Sequence, residues 1–329
     1  MNMTTARKRL ALAITAVSAP LIVFAASPAS ASQLIATDIL TQFNAVVAGN
    51  FSTNSDVEGR LVAKNITAGA TFYNKPNALA GASAFQAVNA LTIQGCQSCN
   101  IDNGGSVNYV TSNAGSFNFN GGGSLKHNSP GFAISDFTAP LDALVSQLSG
   151  LTANSTFTAP NSNSLVFNVA PVNGVAVFDI TGAQLSAGNY NISFNNAIAA
   201  SSIIINVTGD FTEGSAENFN GNTFLNEHVI WNFVNAANVS VKSWSGAVLA
   251  KDATVTNSSQ MNGFLYAQNF NGRGELHSYP FEGDLPGVPE PSTWAIWLAA
   301  AARRPRLRPE RLFTFPIMLI RRILHVAAV

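Results

Sequence analysis

Gly246-Ala247-Val248-Leu249-Ala250-Lys251-Asp252-Ala253 returns 17 residues later as Gly263-Phe264-Leu265-Tyr266-Ala267-Gln268-Asn269-Phe270. A third copy stands far upstream, at Gly59-Arg60-Leu61-Val62-Ala63-Lys64-Asn65-Ile66. Each copy is Gly, any residue, two apolar residues, Ala, a long polar residue, Asn or Asp, then an apolar residue. A repeat this short cannot bury an inner face alone and must stack on its neighbours, as the coils of a solenoid do. The pattern puts Gly at one corner, the apolar residues inward and Asn or Asp at the next corner. It predicts a mainly β chain built as a β-solenoid, with Ala250 beside Ala267. Hairpin strands of a two-layer sandwich are the competing arrangement.

The flanking sequence agrees with stacked short strands. Leu165-Val166-Phe167-Asn168-Val169, Val175 to Ile180, Ile203-Ile204-Ile205-Asn206-Val207, Val229-Ile230-Trp231-Asn232-Phe233 and Val239-Ser240-Val241 are short β-branched or aromatic runs bounded by turn residues. Ile203 to Ile205 lacks alternation, which suits a strand buried on both faces. One segment has helical spacing. From Ser135 to Gly150, apolar residues fall at Phe137, Leu141, Leu144, Val145 and Leu148, one face of a helix. Thr138 is placed to cap its start, Pro140 to sit in the first turn and Gly150 to end it. The expected fold is therefore a solenoid with one amphipathic helix packed along its flank.

Of 329 residues, 47% are hydrophobic and 10% charged, against about 25% charged in an ordinary soluble domain. Charge-driven disorder and a basic nucleic-acid binder are excluded. The 36 Asn and 25 Gly suit a chain that turns often. Net charge is zero, but residues 32–289 carry seven Lys/Arg against fifteen Asp/Glu, while both ends are basic.

Those ends read as addresses. Arg7, Lys8 and Arg9 precede an apolar stretch from Leu10 to Ala26, and Ala29-Ser30-Ala31 is a small-x-small cleavage site. A secretory signal over 1–31 with cleavage governed by Ala29 and Ala31 is expected, in preference to a membrane anchor. At the other end, Pro289-Glu290-Pro291 is followed by an apolar run, Trp294 to Ala302, and by Arg303-Arg304. This resembles the PEP-CTERM sorting signal of exported proteins in Gram-negative bacteria. The resemblance implies an exosortase-type processing enzyme as partner, acting near Pro289, Glu290 and Pro291. Here the apolar run is nine residues, about 14 Å as a helix, against a hydrocarbon core of about 30 Å. A further basic stretch and a second apolar run, Leu312 to Ile320, follow it, as after a shifted reading frame. That shortfall counts against even transient membrane contact through this end.

The body resembles the choice-of-anchor A family of adhesin-type domains. The matching residues are Phe43-Asn44-Ala45-Val46-Val47, Asn54 to Leu61, Val229 to Phe233, and Trp244-Ser245-Gly246-Ala247-Val248-Leu249-Ala250 through Gly274-Glu275-Leu276-His277-Ser278-Tyr279-Pro280-Phe281. The Trp–Gly–apolar–Ala coils are also similar to those of ice-binding-type solenoid adhesins, a likeness of fold. These resemblances imply four parts: a signal peptide 1–31, an adhesin-type domain 32–284, a sorting motif with shortened apolar helix 285–302, and a basic/apolar tail 303–329. They also imply an exported protein of the extracellular space or outer cell surface.

Cys96-Gln97-Ser98-Cys99 is expected to close a local disulfide in an exported chain. His127, His228 and His277 are scattered singly, so no metal site and no cofactor is expected. Asp56 and Glu58 have the spacing to share a strand face, as a polysaccharide-degrading enzyme would need, but Arg60 shares it and an ion-paired or capped turn is the plainer reading. Asp210, Glu213 and Glu217 match no defined calcium loop. Neither a nucleophile elbow nor a phosphate loop occurs in the sequence. Thr254-Val255-Thr256 is the one candidate ice-binding ladder, with Asn271 to Arg273 expected opposite it one coil later. Tyr73, Tyr109, Phe117, Phe119 and Tyr279 are the aromatic residues available for stacking on sugars. The expectation is a non-catalytic adhesin-like protein contacting polysaccharide or cell surfaces. A solenoid polysaccharide-degrading enzyme and an ice-binding protein are the alternatives.

Overall fold

The structure, a computed structural model, describes residues 34–214 and 219–286. The three repeated segments stack in one column. Val248, Leu249 and Ala250 pair with Leu265, Tyr266 and Ala267. Leu265 in turn pairs with Ala45, and Ala45 with Leu61. The corner glycines stack as well. Gly246 and Gly263 have φ of +95° and +142°, and a Cβ on Gly263 would lie 2.6 Å from the Gly246 carbonyl oxygen. Backbone rests on backbone there, leaving no room for a side chain.

These strands belong to a 12-stranded sheet whose pairs are all parallel. Its spatial order is Val175–Thr181, Ser202–Thr208, Val229–Val234, Ala247–Asn257, Leu265–Gly272, Ala45–Thr53, Leu61–Ala68, Val88–Ile93, Val107–Asn113 and Leu125–His127. Spatial order is thus not chain order. The chain starts mid-stack, winds outward to Leu125–His127, crosses to the opposite end and winds back until Leu265–Gly272 meets Ala45–Thr53. Asn44 fastens that seam: its amide donates to the carbonyls of Gly263 and His277 at 3.1 and 3.0 Å and accepts the Gly59 N–H at 3.0 Å.

Each coil has three sides. Register breaks between Val47 and Asn50, and between Ala250 and Thr254, mark the corner from the first side to the second. The third side is made of the short strands Trp244–Ser245, Met261–Asn262 and Leu276–His277 and, beyond the Val57 bridges to Leu276 and Phe72, Thr71–Phe72, Cys99–Ile101 and Phe117–Phe119. Cys96 and Cys99 are disulfide-bonded on this side. The interior is apolar and aromatic-rich, with Phe51 stacked on Phe270 at 5.4 Å and Trp231 against Trp244 at 4.8 Å.

The helix Ser135–Ser149 lies across the outside of the first side, burying Phe137, Leu141, Leu144, Val145 and Leu148 against Val46, Val62, Ile204, Ile230, Leu249 and Tyr266. This explains the unbroken run at Ile203-Ile204-Ile205: the outer two belong to the interior and Ile204 lies beneath the helix. Polar pins hold the helix in register. Asn206 donates to the Leu148 carbonyl at 3.0 Å and Asn232 to the Val145 carbonyl at 3.2 Å, while the Tyr266 hydroxyl donates to Asp142 at 2.7 Å.

Two helical expectations need correction. The helix begins a turn earlier than Thr138, so Thr138 and Pro140 lie within it, and the Asp136 carboxylate accepts the Ala133 N–H at its start. The expectation of one helix is also too few: Ala36–Gln42, Gly182–Leu185 and Thr223–His228 are helical among the described residues. Each is at most seven residues, too short to show a 3.6-residue period. Asn does more than turn corners. It supplies five of the eight positive-φ non-Gly residues, but Asn232, Asn206 and Asp179 also form a hydrogen-bonded ladder beneath the helix. Such ladders repeat at Asn195–Asn168 and Asn118–Asn100.

Candidate functional site

With the first side covered by helices and the third partly roofed by the segments around Asn220 and Asn74, the second side is the one that the described residues leave open. Its strands alternate strictly. Phe211, Val239, Val255, Phe270, Phe51, Ile66 and Ile93 face the interior. Between them, two outward rows of hydroxyl and amide side chains cross the coils. One row runs Asn238, Thr254, Asn269, Asn50, Asn65, Thr92, Ser112. The other runs Thr212, Ser240, Thr256, Asn271, Ser52. All are exposed or half-exposed. Strand geometry spaces them about 4.8 Å across coils and about 6.6 Å between rows.

The expected ladder register was wrong. Thr254 and Thr256 face Asn269 and Asn271, not Asn271 and Arg273. Lys251 to Ala253 form an enlarged corner in that coil, so the register resumes two residues off the simple repeat. The first row is partly self-satisfied: Asn269 accepts the Asn50 N–H at 3.0 Å, and Asn65 donates to Asn50 at 2.9 Å. At the edge of the second row, Ser240, Thr256, Asn271, Lys242, Glu213 and Arg273 line an open cavity of about 340 Å³. It brings hydroxyls, amides and charges of both signs onto one surface, a set able to hydrogen-bond sugar hydroxyls and carboxylates.

The carboxylate candidates are held by the fold. Asp56 accepts from the Asn74 amide at 2.9 Å. Glu58 accepts the Ser278 N–H at 2.9 Å and lies 3.7 Å from Lys75 and 4.0 Å from His277. Arg60 turns elsewhere, donating to the carbonyls of Gln42 and Gly81 and lying over the Tyr73 ring. Asp210 accepts the N–H groups of Ala237 and Asn238 and the Asn238 amide, which lowers its pKa below the ordinary carboxylate value. Glu213 accepts the Lys242 N–H. Glu217 lies outside the described residues, as do Ala29, Ala31, Pro289, Glu290 and Pro291.

The aromatic candidates are not gathered at one surface. Tyr109, Phe117 and Phe119 pack against the interior near the Leu125–His127 end, with Tyr109 stacked on His127 at 4.8 Å. Tyr73 sits under Arg60. What the sequence hid is the environment of His228. Among the described residues, Glu227, His228 and Glu282 bring three ligand-type atoms within 4.8 Å of one another. Glu227-His228 was a visible pair, but Glu282 comes from the segment after the last coil and carries no sequence signal of proximity.

The profile of the family described as "Putative Ice-binding-like adhesive domain" matches residues 36–278. The chain belongs to that family. It is also similar to a solved structure, a glycosylated ice-binding protein from an Arctic yeast, at 14% identity and a TM-score of 0.34, over 80% of this chain and 99% of that one. No curated protein matches it. No helix among the described residues is long and apolar enough to cross a membrane.

Proposed function

We propose that the protein is an exported, non-catalytic adhesin-like body whose open second side contacts matrix polysaccharide or cell surfaces. The observation that carries this reading is the pair of outward hydroxyl and amide rows on the one side that the described residues leave uncovered, in a chain whose family is described as ice-binding-like and adhesive. A rigid array of neutral donors and acceptors suits repeated shallow contacts, each weak and together strong. The engagement of Asp56 and Glu58 by Asn74 and Ser278 supports a structural use of both carboxylates. The signal at 1–31 and the Pro289-Glu290-Pro291 motif support export and processing by an exosortase-type enzyme, with the mature protein placed outside the cell.

The test is binding of purified protein to immobilised acidic and neutral polysaccharides, with Thr256→Lys/Asn271→Lys as the face variant. Retention by the wild type and loss in the variant is expected. Equal retention by both would remove the second side from the reading. Release of reducing or unsaturated ends, abolished by Asp56→Asn/Glu58→Gln, would make the protein an enzyme. Thermal hysteresis with crystal shaping, lost in the face variant, would make ice the ligand. The mixed Thr, Ser and Asn rows are less uniform than the all-Thr ladder an ice plane calls for.

A further inference from the structure

Glu227 closes the short helix Thr223–His228, at the corner where the chain enters strand Val229–Val234. It is only 8% exposed, and among the described residues its carboxylate has neither a hydrogen bond nor an ion pair. Burial and the neighbouring Glu282 both raise its pKa, and His228 opposes them. Beside it, the His228 ring is fixed twice. It stacks on Phe224 at 4.2 Å, and its Nδ1 lies 2.8 Å from the Ser201 carbonyl. A carbonyl only accepts, so Nδ1 carries a proton, and in the neutral ring Nε2 is then the nitrogen left to bind a metal, the arrangement that orients metal-binding histidines. Glu282 arrives on the segment that follows the last coil, with its N–H on the Glu227 carbonyl at 2.8 Å.

We propose that Glu227, His228 and Glu282 form a binding site for one divalent metal ion of the zinc type. Two carboxylates balance the charge of a dication, and an imidazole nitrogen favours zinc over calcium or magnesium, which take all-oxygen shells. Ligand atoms about 2.1 Å from a tetrahedral ion stand about 3.4 Å apart. Swinging the exposed Glu282 side chain inward closes the present spacing, and water completes the shell. The ion ties residues 279–286 to the solenoid. That segment is otherwise held by the buried Phe281 and by Leu285 against the helix-side apolar cluster, and by polar contacts such as Ser202 to the Asp284 carbonyl at 2.6 Å and the Phe281 N–H to the Leu40 carbonyl at 3.3 Å.

The tag-free protein, stripped with a chelator and dialysed, is titrated with zinc, calcium and magnesium chlorides by calorimetry. One equivalent of zinc is expected, with a higher melting temperature and slower proteolysis within residues 279–286. Glu282→Gln and His228→Gln should each weaken zinc binding at least tenfold. Glu282 is exposed, so its variant keeps the fold, checked by circular dichroism. The proposal is overturned if zinc does not bind, if both variants bind it as the wild type does, or if calcium binds as tightly as zinc.

Discussion

Two sides of the same coil obey different sequence rules. On the side beneath the long helix, Ile203, Ile204 and Ile205 are all buried, because the interior takes the outer two and the helix covers the middle one. On the open side, Thr254-Val255-Thr256 alternates, and only Val255 is buried. Parallel strands build both sides, so the difference lies in what covers them. An unbroken apolar run marks a covered sheet, and an alternating one marks a surface left for water or for a partner.

The comparison can be broken at its strongest point first. Ile204→Ala removes packing against the helix and should cost about 3 kcal/mol in urea unfolding. A cost near zero would mean that the helix adds no burial. Next, Asn232→Ala strands the Asn206 amide oxygen and removes a second hydrogen bond to the Val145 carbonyl. It should cost about 2 kcal/mol, and amide exchange in the last turns of the helix should speed up.

Tyr266 sharpens the contrast through pH. Burial first, and its hydrogen bond to Asp142 second, raise its pKa far above the ordinary phenol value. A raised folded-state pKa means that its contribution is complete below the unfolded value of about 10 and is lost as pH rises beyond it. Tyr266→Phe should cost about 1 kcal/mol at neutral pH and should flatten the alkaline fall in stability. An unchanged alkaline limb would assign that fall to other groups. Smallest of all, Thr254→Ala on the open side should change stability by less than about 0.5 kcal/mol. A larger loss would show that the face is doing structural rather than surface work.

The repeat itself was legible because stacking demands it. Gly246, Val248 and Ala250 find Gly263, Leu265 and Ala267 one coil later, and Leu61 and Ala63 share the column. The apolar face of the long helix was legible for the same reason, since five side chains had to meet the sheet. The register beyond Ala250 was not, because the larger corner at Lys251 to Ala253 interrupts the period without changing composition. The short helices were hidden by their length. The meeting of Glu282 with Glu227 and His228 was hidden because nothing local records where a terminal segment comes to rest. The outward rows were visible only as scattered Ser, Thr and Asn until the three-sided coil put them in line.

The seam at Asn44 has a consequence for the order of assembly. Ala45–Thr53 needs both Leu61–Ala68 and Leu265–Gly272 as neighbours, and the second of these is, among the described residues, the last long strand to leave the ribosome. Until it arrives, the half-built stack carries a bare parallel edge in its middle and stays unfinished. A chain wired this way cannot close its stack until Leu265–Gly272 has been made and set beside Ala45–Thr53.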